Sequence, residues 1–236
     1  MNIRKIALAG CAILVLGGLI ACTKPANKAA APEAAAVAAP VSLEPISAPA
    51  GVYAIDPDHA SVAFRVNHLG FSFYNARFKR FTAEINFDAA NPGASTVTAS
   101  IDPTSIETDY AGDYAKFHQG SPFKSFNEDL ANNQAWFNAK AFPKIDFVST
   151  ALEVTGGKAG KMTGNLTLLG VTKPVTFDVT LVGSAEKHPI LGVGVLGFNA
   201  RTTIKRSDFG MTNYVPNVGD DVEIIIDGEF EQKPAS

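Results

Sequence analysis

Few residues of this chain have the types and the spacing that catalysis or metal binding requires. His59 and His68 lie nine positions apart around one alternating segment, but no third metal ligand stands near them in the sequence. We therefore interpret both as hydrogen-bonded structural residues. Ser61, Ser121 and Ser207 lack the Gly-x-Ser-x-Gly elbow of a nucleophile, and the chain contains no phosphate loop or dinucleotide fingerprint. The sequence predicts a protein that is not an enzyme, with no catalytic residue, no metal site and no cofactor.

Arg206 and Asp208 form the one other charged pair of interest. They could make an ion pair that fixes a loop at the rim of the fold, or they could meet the head group of a ligand. Of these two, we favour the structural role.

The chemistry that the sequence does indicate is lipidation of Cys22. Arg4 and Lys5 precede an uncharged apolar stretch, residues 6–21, which is too short to span a membrane comfortably and fits a secretory signal. The stretch ends in Leu-Ile-Ala-Cys, which resembles a bacterial lipoprotein cleavage box. Cys11 fits the box less well, and an ordinary signal peptide cleaved further along is the alternative. We expect an exported lipoprotein on the periplasmic side of the envelope, anchored to the outer membrane in a diderm cell.

The charge balance excludes nucleic acid as a partner. Removal of residues 1–22 leaves 18 Lys and Arg against 23 Asp and Glu, a formal charge of −5, without the basic patch that nucleic acid requires. The same balance offers no attraction to an anionic membrane, so the lipid anchor would provide any membrane contact. The sequence identifies no protein partner.

Residues 23–50 differ in composition from the rest of the chain. They contain 11 Ala and 5 Pro among 28 positions and few large apolar side chains. Such a segment cannot bury enough surface to fold, and we expect a disordered tether. It connects the signal peptide, residues 1–22, to a single domain, residues 51–236.

Beyond the tether, the apolar residues alternate as they do in β-strands. Val62, Phe64, Val66 and His68 share one face of the first segment, and the alternation slips at Lys79-Arg80, which predicts a bulge or bend. Turn residues separate later segments of the same kind at 91–93, 156–157 and 170–174. Residues 104–134 lack the period of two, and we expect a short helical or irregular insertion there.

About eight such strands are typical of either a sandwich or an up-and-down barrel. Small residues among the inward aromatics favour the barrel: Ala76, Ala83, Gly164 and Gly197. We therefore predict an all-β fold, an antiparallel barrel of about eight strands. From the pattern alone its interior could be a solid core or a ligand tunnel.

Several motifs in order resemble the YceI-like family. The longest is Gly-Asn-Leu-Thr-Leu-Leu-Gly-Val-Thr-Lys-Pro-Val at 164–175, and the others lie at 53–59, 62–70, 85–88, 141–149, 206–210 and 218–222. Ala76 and Ala83 stand where the family usually has glycines, and residues 126–130 replace a family segment that contains Arg and His. We carry no role over to those positions.

The resemblance implies a lipocalin-like barrel with an apolar tunnel for an isoprenoid tail. The expected function is to sequester or carry a polyisoprenoid, an isoprenoid quinone or a similar lipid in the cell envelope; the alternative is a structural or stress-related envelope protein with a solid core. The residues expected to line the tunnel are Phe64, Val66, Phe78, Phe81, Ile85, Phe87, Phe147, Leu166, Leu168, Phe177 and Val179.

Overall fold

The computed structural model describes residues 45–234 and is built almost entirely of antiparallel strands. Three short 3₁₀ turns and two short α-helices interrupt them. The helices are α1 (Tyr114–Phe117) and α2 (Phe126–Asn132). The strands are β1 (Gly51–His68), β2 (Ser72–Phe78), β3 (Phe81–Phe87), β4 (Thr96–Ile101), β5 (Ile106–Thr108), β6 (Ile145–Gly156), β7 (Ala159–Leu168), β8 (Val171–Ala185), β9 (Val195–Lys205) and β10 (Val218–Gln232).

The strands close into an eight-stranded barrel. β1 pairs with β10, and this pairing joins the two ends of the meander. β2 and β3 both pair with β1 and together form one position in the ring; β4 and β5 form the next, interrupted by a 3₁₀ turn at Pro103–Ser105. The predicted barrel is confirmed and the sandwich is wrong.

The break between β2 and β3 confirms the predicted bend at Lys79-Arg80. The backbone N–H of Lys79 donates to Ser105 O (3.1 Å), and that of Arg80 donates to Ser105 Oγ (2.9 Å). Arg80 also reaches Asp102 Oδ2 with its guanidinium (2.8 Å). The bend is stabilised because the interrupted neighbouring strand supplies the hydrogen-bond partners that the regular ladder lacks there.

Two hairpins turn through a Leu-Gly pair. Leu69 and Gly70 have φ of 57° and 77°, and Leu169 and Gly170 have φ of 52° and 74°, the positive values that a type I′ turn requires. Leu169 and Gly170 alone separate the paired residues Leu168 and Val171, whereas Phe71 also lies between the paired residues His68 and Ser72. The prediction that the whole segment 170–174 separates two strands is wrong, because this turn needs only two residues. β8 therefore begins at Val171, and Pro174 lies inside it.

Alternate connections of an up-and-down barrel lie at opposite ends. The turns at 69–70 and 169–170, the loop 206–217 and residues 109–144 lie at one end, which we call the helix end. The turns at 88–95 and 157–158 and the loop 186–194 lie at the other, the terminal end. The predicted insertion is present, but it runs from 109 to 144, since residues 106–108 form β5 and pair with β2.

Helix α2 packs into the helix end of the barrel. Ser125 caps it by accepting a hydrogen bond from the Glu128 N–H (3.1 Å). Its buried residues Leu130 and Ala131 join the main apolar cluster of the barrel. The helix is short, and this burial rather than its intrinsic propensity holds it in place.

The packed part of the chain begins before β1. Ala48 is only 2% exposed, Ser47 Oγ donates to Ser184 O (2.8 Å), and Tyr53 Oη donates to Pro49 O (2.5 Å). Residues 45–50 therefore contact the barrel, although the sequence pattern assigns them to the tether. The signal peptide, Cys22 and the rest of the predicted tether lie outside the described residues.

Candidate functional site: an apolar cavity along the barrel

A cavity of about 850 Å³ occupies the barrel. It extends from Leu69 and Tyr214 at the helix end to Gly157 and Lys158 at the terminal end. A solid core contains few voids larger than a water molecule, so this volume excludes the solid-core interpretation of the pattern. A dry cavity of ~150 Å³ accepts one benzene, and on that scale 850 Å³ would accommodate roughly 30 carbon atoms, about six isoprene units.

The structure places all eleven residues of the predicted lining along this cavity. The reason is the strict alternation of their strands, which turns every second side chain inward. Seven of them are buried and pack in the barrel wall, whereas Phe64, Val66, Phe81 and Val179 are only partly covered by protein. The set is Phe64, Val66, Phe78, Phe81, Ile85, Phe87, Phe147, Leu166, Leu168, Phe177 and Val179.

The four small residues of the sequence argument play different roles. Ala76 is buried in the wall and Ala83 lines the cavity. Gly164 faces inward, but the Phe147 ring fills its space. The inward orientation predicted for Gly197 is wrong: Leu196 and Phe198 turn inward, so the residue between them lies on the outer face.

The helix end of the cavity is lined by aromatic residues that the sequence pattern did not single out. The Phe126 ring lies 5.5 Å from Tyr74, 5.2 Å from Tyr110 and 6.0 Å from His118, measured between ring centroids. Trp136 also lines the cavity and lies 6.0 Å from Tyr214. All but Tyr74 and Tyr214 belong to residues 109–144, where no alternation exists to indicate which side chains turn inward.

The hydroxyl of Tyr74 is buried in the cavity wall without a hydrogen-bond partner among the described residues. Thr108 lies close to it; the Thr108 hydroxyl donates to Asn127 Oδ1 (2.7 Å), and its oxygen can still accept a hydrogen bond. Burial raises the pKa of Tyr74, and Asp109 and Tyr110 raise it further, while Thr108 acts in the opposite direction. The group is therefore a neutral phenol, and leaving it unpaired costs about 1–3 kcal/mol.

Arg206 also borders the cavity but is fully engaged by the protein. It is 3% exposed and donates to the carbonyl oxygens of Gly219 (2.8 Å), Met211 (3.0 Å), Asn213 (2.7 Å) and Val218 (2.9 Å). Burial lowers its pKa. Its structural role agrees with our expectation, but the predicted partner is wrong, because these loop carbonyls and not Asp208 surround the guanidinium.

His59 and His68, the histidines considered as metal ligands, do not belong to a group of possible metal ligands in the described part of the chain. His59 Nδ1 lies 2.6 Å from Asp56 Oδ2, and this hydrogen bond raises the pKa of the exposed imidazole. Within residues 45–234, no three His, Cys, Asp or Glu side chains lie close enough to share an ion. No helix in the same part of the chain is long and apolar enough to cross a membrane.

A closed antiparallel barrel around an apolar cavity defines a class of proteins that can enclose a small ligand. The family model described as the YceI-like domain matches residues 53–230, so the chain belongs to the YceI-like family. It is 35% identical over 189 residues to Protein YceI of Salmonella arizonae, covering 79% of this chain and 90% of the relative.

Solved structures show the same fold. Burkholderia cenocepacia BcnA is 25% identical, with a TM-score of 0.61 over 74% of this chain and 98% of BcnA. A polyisoprenoid binding domain from Saccharophagus degradans, implicated in plant cell wall breakdown, is 12% identical, with a TM-score of 0.52 over 77% of this chain and 98% of that domain. At this low identity the second comparison shows the fold alone.

Proposed function

We propose that this protein binds a long apolar lipid of the polyisoprenoid class inside its barrel and carries or sequesters it. The cavity carries the proposal. Its volume of about 850 Å³ and its wall of Phe, Leu, Ile and Val side chains suit an extended hydrocarbon chain with many methyl branches. The S. degradans neighbour, described as polyisoprenoid binding, shares the fold and supports this ligand class.

Moving the hydrocarbon chain of such a lipid from water into the cavity is energetically favourable. Each methylene or methyl group removed from water contributes about 0.8 kcal/mol, so a chain of several isoprene units has a large driving force even after its own ordering is subtracted. A preformed cavity lowers that ordering cost. We propose a binding role rather than a catalytic one, because most of the lining offers apolar contact surface.

The identity of the bound lipid tests this function. The protein is purified from its native envelope in a mild detergent, its lipids are extracted, and their masses are compared with those of the same membranes. The proposal expects a prenyl lipid to be enriched in the protein fraction. A barrel that is purified empty, and that takes up no prenyl chain when one is offered, would refute it.

We further propose that Cys22 anchors the barrel to the envelope membrane on its periplasmic side. The Leu-Ile-Ala-Cys sequence at the end of an apolar segment supports this location. Substitution Cys22→Ser should release the exported protein from the membrane fraction into the soluble fraction, and intact mass should show the lipid on wild type alone. Wild-type protein that is exported, soluble and unmodified at its N-terminus would contradict the anchor.

A further inference from the structure

Exposed apolar side chains surround the cavity at the helix end. Phe71, in the turn between β1 and β2, is 89% exposed; Leu69 in the same turn and Tyr214 in the loop 206–217 are exposed as well. The turn and the loop are adjacent, because the Leu69 N–H donates to Asn217 O (2.8 Å). Leu69 and Tyr214 also belong to the cavity lining, so this surface continues into the cavity. We call it the mouth patch; its exposed side chains are Leu69, Phe71, Phe73, Tyr214 and Val215.

The mouth patch lies on two segments without formal charge. Residues 66–76 and 209–219 contain no Asp, Glu, Lys or Arg, although these four types make up 18% of the chain. At the terminal end, by contrast, Glu153, Lys158 and Lys161 belong to the cavity lining. Because an ionised side chain is costly to remove from water, the mouth patch is better suited than the terminal end to contact with an apolar medium.

We propose that the mouth patch inserts into the surface of a lipid bilayer, and that the bound lipid enters and leaves the cavity there. This inference rests on the proposed function and adds the surface through which the lipid is exchanged. A prenyl chain that passes from the bilayer directly into the mouth is never exposed to water along its whole length. Aromatic side chains such as Phe71 and Tyr214 are favoured at the boundary between membrane and water. Residues 109–144, at the same end, contain four Lys against four Asp and Glu, so this contact requires no anionic lipid.

The exposed apolar residues at the terminal end have a different relation to the cavity. Ile190 is 85% exposed, and Leu191 beside it in the sequence is exposed as well. Among the described residues that line the cavity, none comes from their loop, residues 186–194. The charged residues Glu186 and Lys187 belong to the same loop. Ile190 therefore matches Phe71 in exposure but not in position, and it is the natural control.

The length of the chain before the barrel allows the helix end to face the membrane. Residue 47 lies at the terminal end, where Ser47 Oγ donates to Ser184 O (2.8 Å). Residues 23–44 would reach about 70 Å if extended like polyproline. A tilted strand of 15 residues, such as β8, spans only about 40 Å along the barrel axis. A lipid anchor on Cys22 is therefore compatible with this orientation.

A dye at each end of the barrel tests the contact. Phe71→Cys and Ile190→Cys are introduced into the full chain, labelled with a nitrobenzoxadiazole dye and incorporated into phosphatidylcholine vesicles; wild type treated with the same reagent measures labelling of the native cysteines. We expect the dye at position 71 to brighten and to be quenched by doxyl-labelled phospholipid, and the dye at position 190 to do neither. Salt between about 0.05 M and about 0.5 M should not change the result, because the mouth patch carries no charge.

The exchange of lipid is tested with Phe71→Ser. Each protein is loaded with a menaquinone of four isoprene units in detergent and diluted into excess phosphatidylcholine vesicles. Trp136, the single tryptophan of the chain, lines the cavity, so recovery of its fluorescence follows release of the quinone. Phe71→Ser should slow release by about tenfold, the partition effect of one phenyl ring, while Ile190→Ser should leave it unchanged. Both variants should keep the melting temperature and the quinone affinity of wild type in detergent, because both side chains are exposed and lie outside the cavity lining.

Three outcomes would overturn the inference: no bilayer signal from position 71, an equal or larger signal from position 190, or equal release by wild type and Phe71→Ser. A wild-type dimer that Phe71→Ser dissociates, without any bilayer signal, would assign the mouth patch to a second copy of the chain. If wild type binds the quinone in detergent in these cases, only the docking surface fails. If wild type does not bind the quinone at all, the proposed function fails as well.

Discussion

Phe147 occupies the space into which a side chain at Gly164 would project. A Cβ built on Gly164 would lie 2.6 Å from Phe147 Cε2 and 2.6 Å from the Val148 carbonyl oxygen. The ring in turn packs edge-on against Phe177, with 5.4 Å between centroids. This part of the wall is close-packed and has no room to spare, although the cavity lies directly beside it.

The first prediction compares a tryptophan in the packed wall with one in the cavity. Gly164→Trp should unfold the domain, because its side chain would collide with the backbone carbonyl oxygen of Val148 in the neighbouring strand as well as with the packed Phe147 ring. Ala83 lines the cavity, so Ala83→Trp should cost less than the ~1–3 kcal/mol of an overpacked core and should co-purify with much less lipid than wild type. Thermal unfolding and lipid extraction measure the two effects. Unfolding of both variants, or wild-type lipid content in Ala83→Trp, would contradict the cavity.

The second prediction concerns the loop that Arg206 holds. Arg206→Met should destabilise the domain by about 2–4 kcal/mol, because several buried carbonyl oxygens lose their donors at once. Asp208→Asn is the matched control and should be nearly neutral, since the loop carbonyls rather than Asp208 engage the guanidinium. Denaturant unfolding measures both. If the two variants lose similar amounts of unfolding free energy, an ion pair between Arg206 and Asp208 would be the main interaction that stabilises the loop.

The third prediction concerns where the tether ends. Deletion of residues 25–44 should leave the melting temperature nearly unchanged, as its Ala/Pro composition suggests. Deletion of residues 25–49 should lower it by several degrees, because it also removes the buried Ala48 and the Ser47 hydrogen bonds to Ser184. Equal melting temperatures for the two proteins would show that residues 45–49 contribute nothing to stability.

The barrel and much of its lining could be predicted from the sequence. In the segments that contain Phe64, Phe147 and Phe177 every second residue is apolar, and this period assigns the inward face without any knowledge of the fold. The bend at Lys79-Arg80 was visible for the same reason, as a change in that period. Whether the inward side chains fill the interior depends on their total volume relative to the interior volume of the barrel. A local sequence pattern does not contain that information.

The polar end of the site could not be predicted in the same way. His118, Phe126 and Trp136 lie between β5 and β6, where the chain follows no regular period and its path depends on tertiary packing. Tyr74 does follow the alternation of β2, but its unpaired hydroxyl becomes visible only when its neighbours are known. The packing of Ile46 and Ala48 against the barrel could not be predicted, because the Ala/Pro-rich composition around them indicates an unfolded segment.

The dependence of affinity on chain length tests the central claim most directly. Wild-type protein is titrated with quinones that differ only in the number of isoprene units, and quenching of Trp136 reports binding. If the cavity of about 850 Å³ holds the chain, each added unit should tighten binding by about tenfold or more until about six units fill the space, after which the affinity should level off. An affinity that does not change with chain length, or the absence of any quenching, would contradict the account.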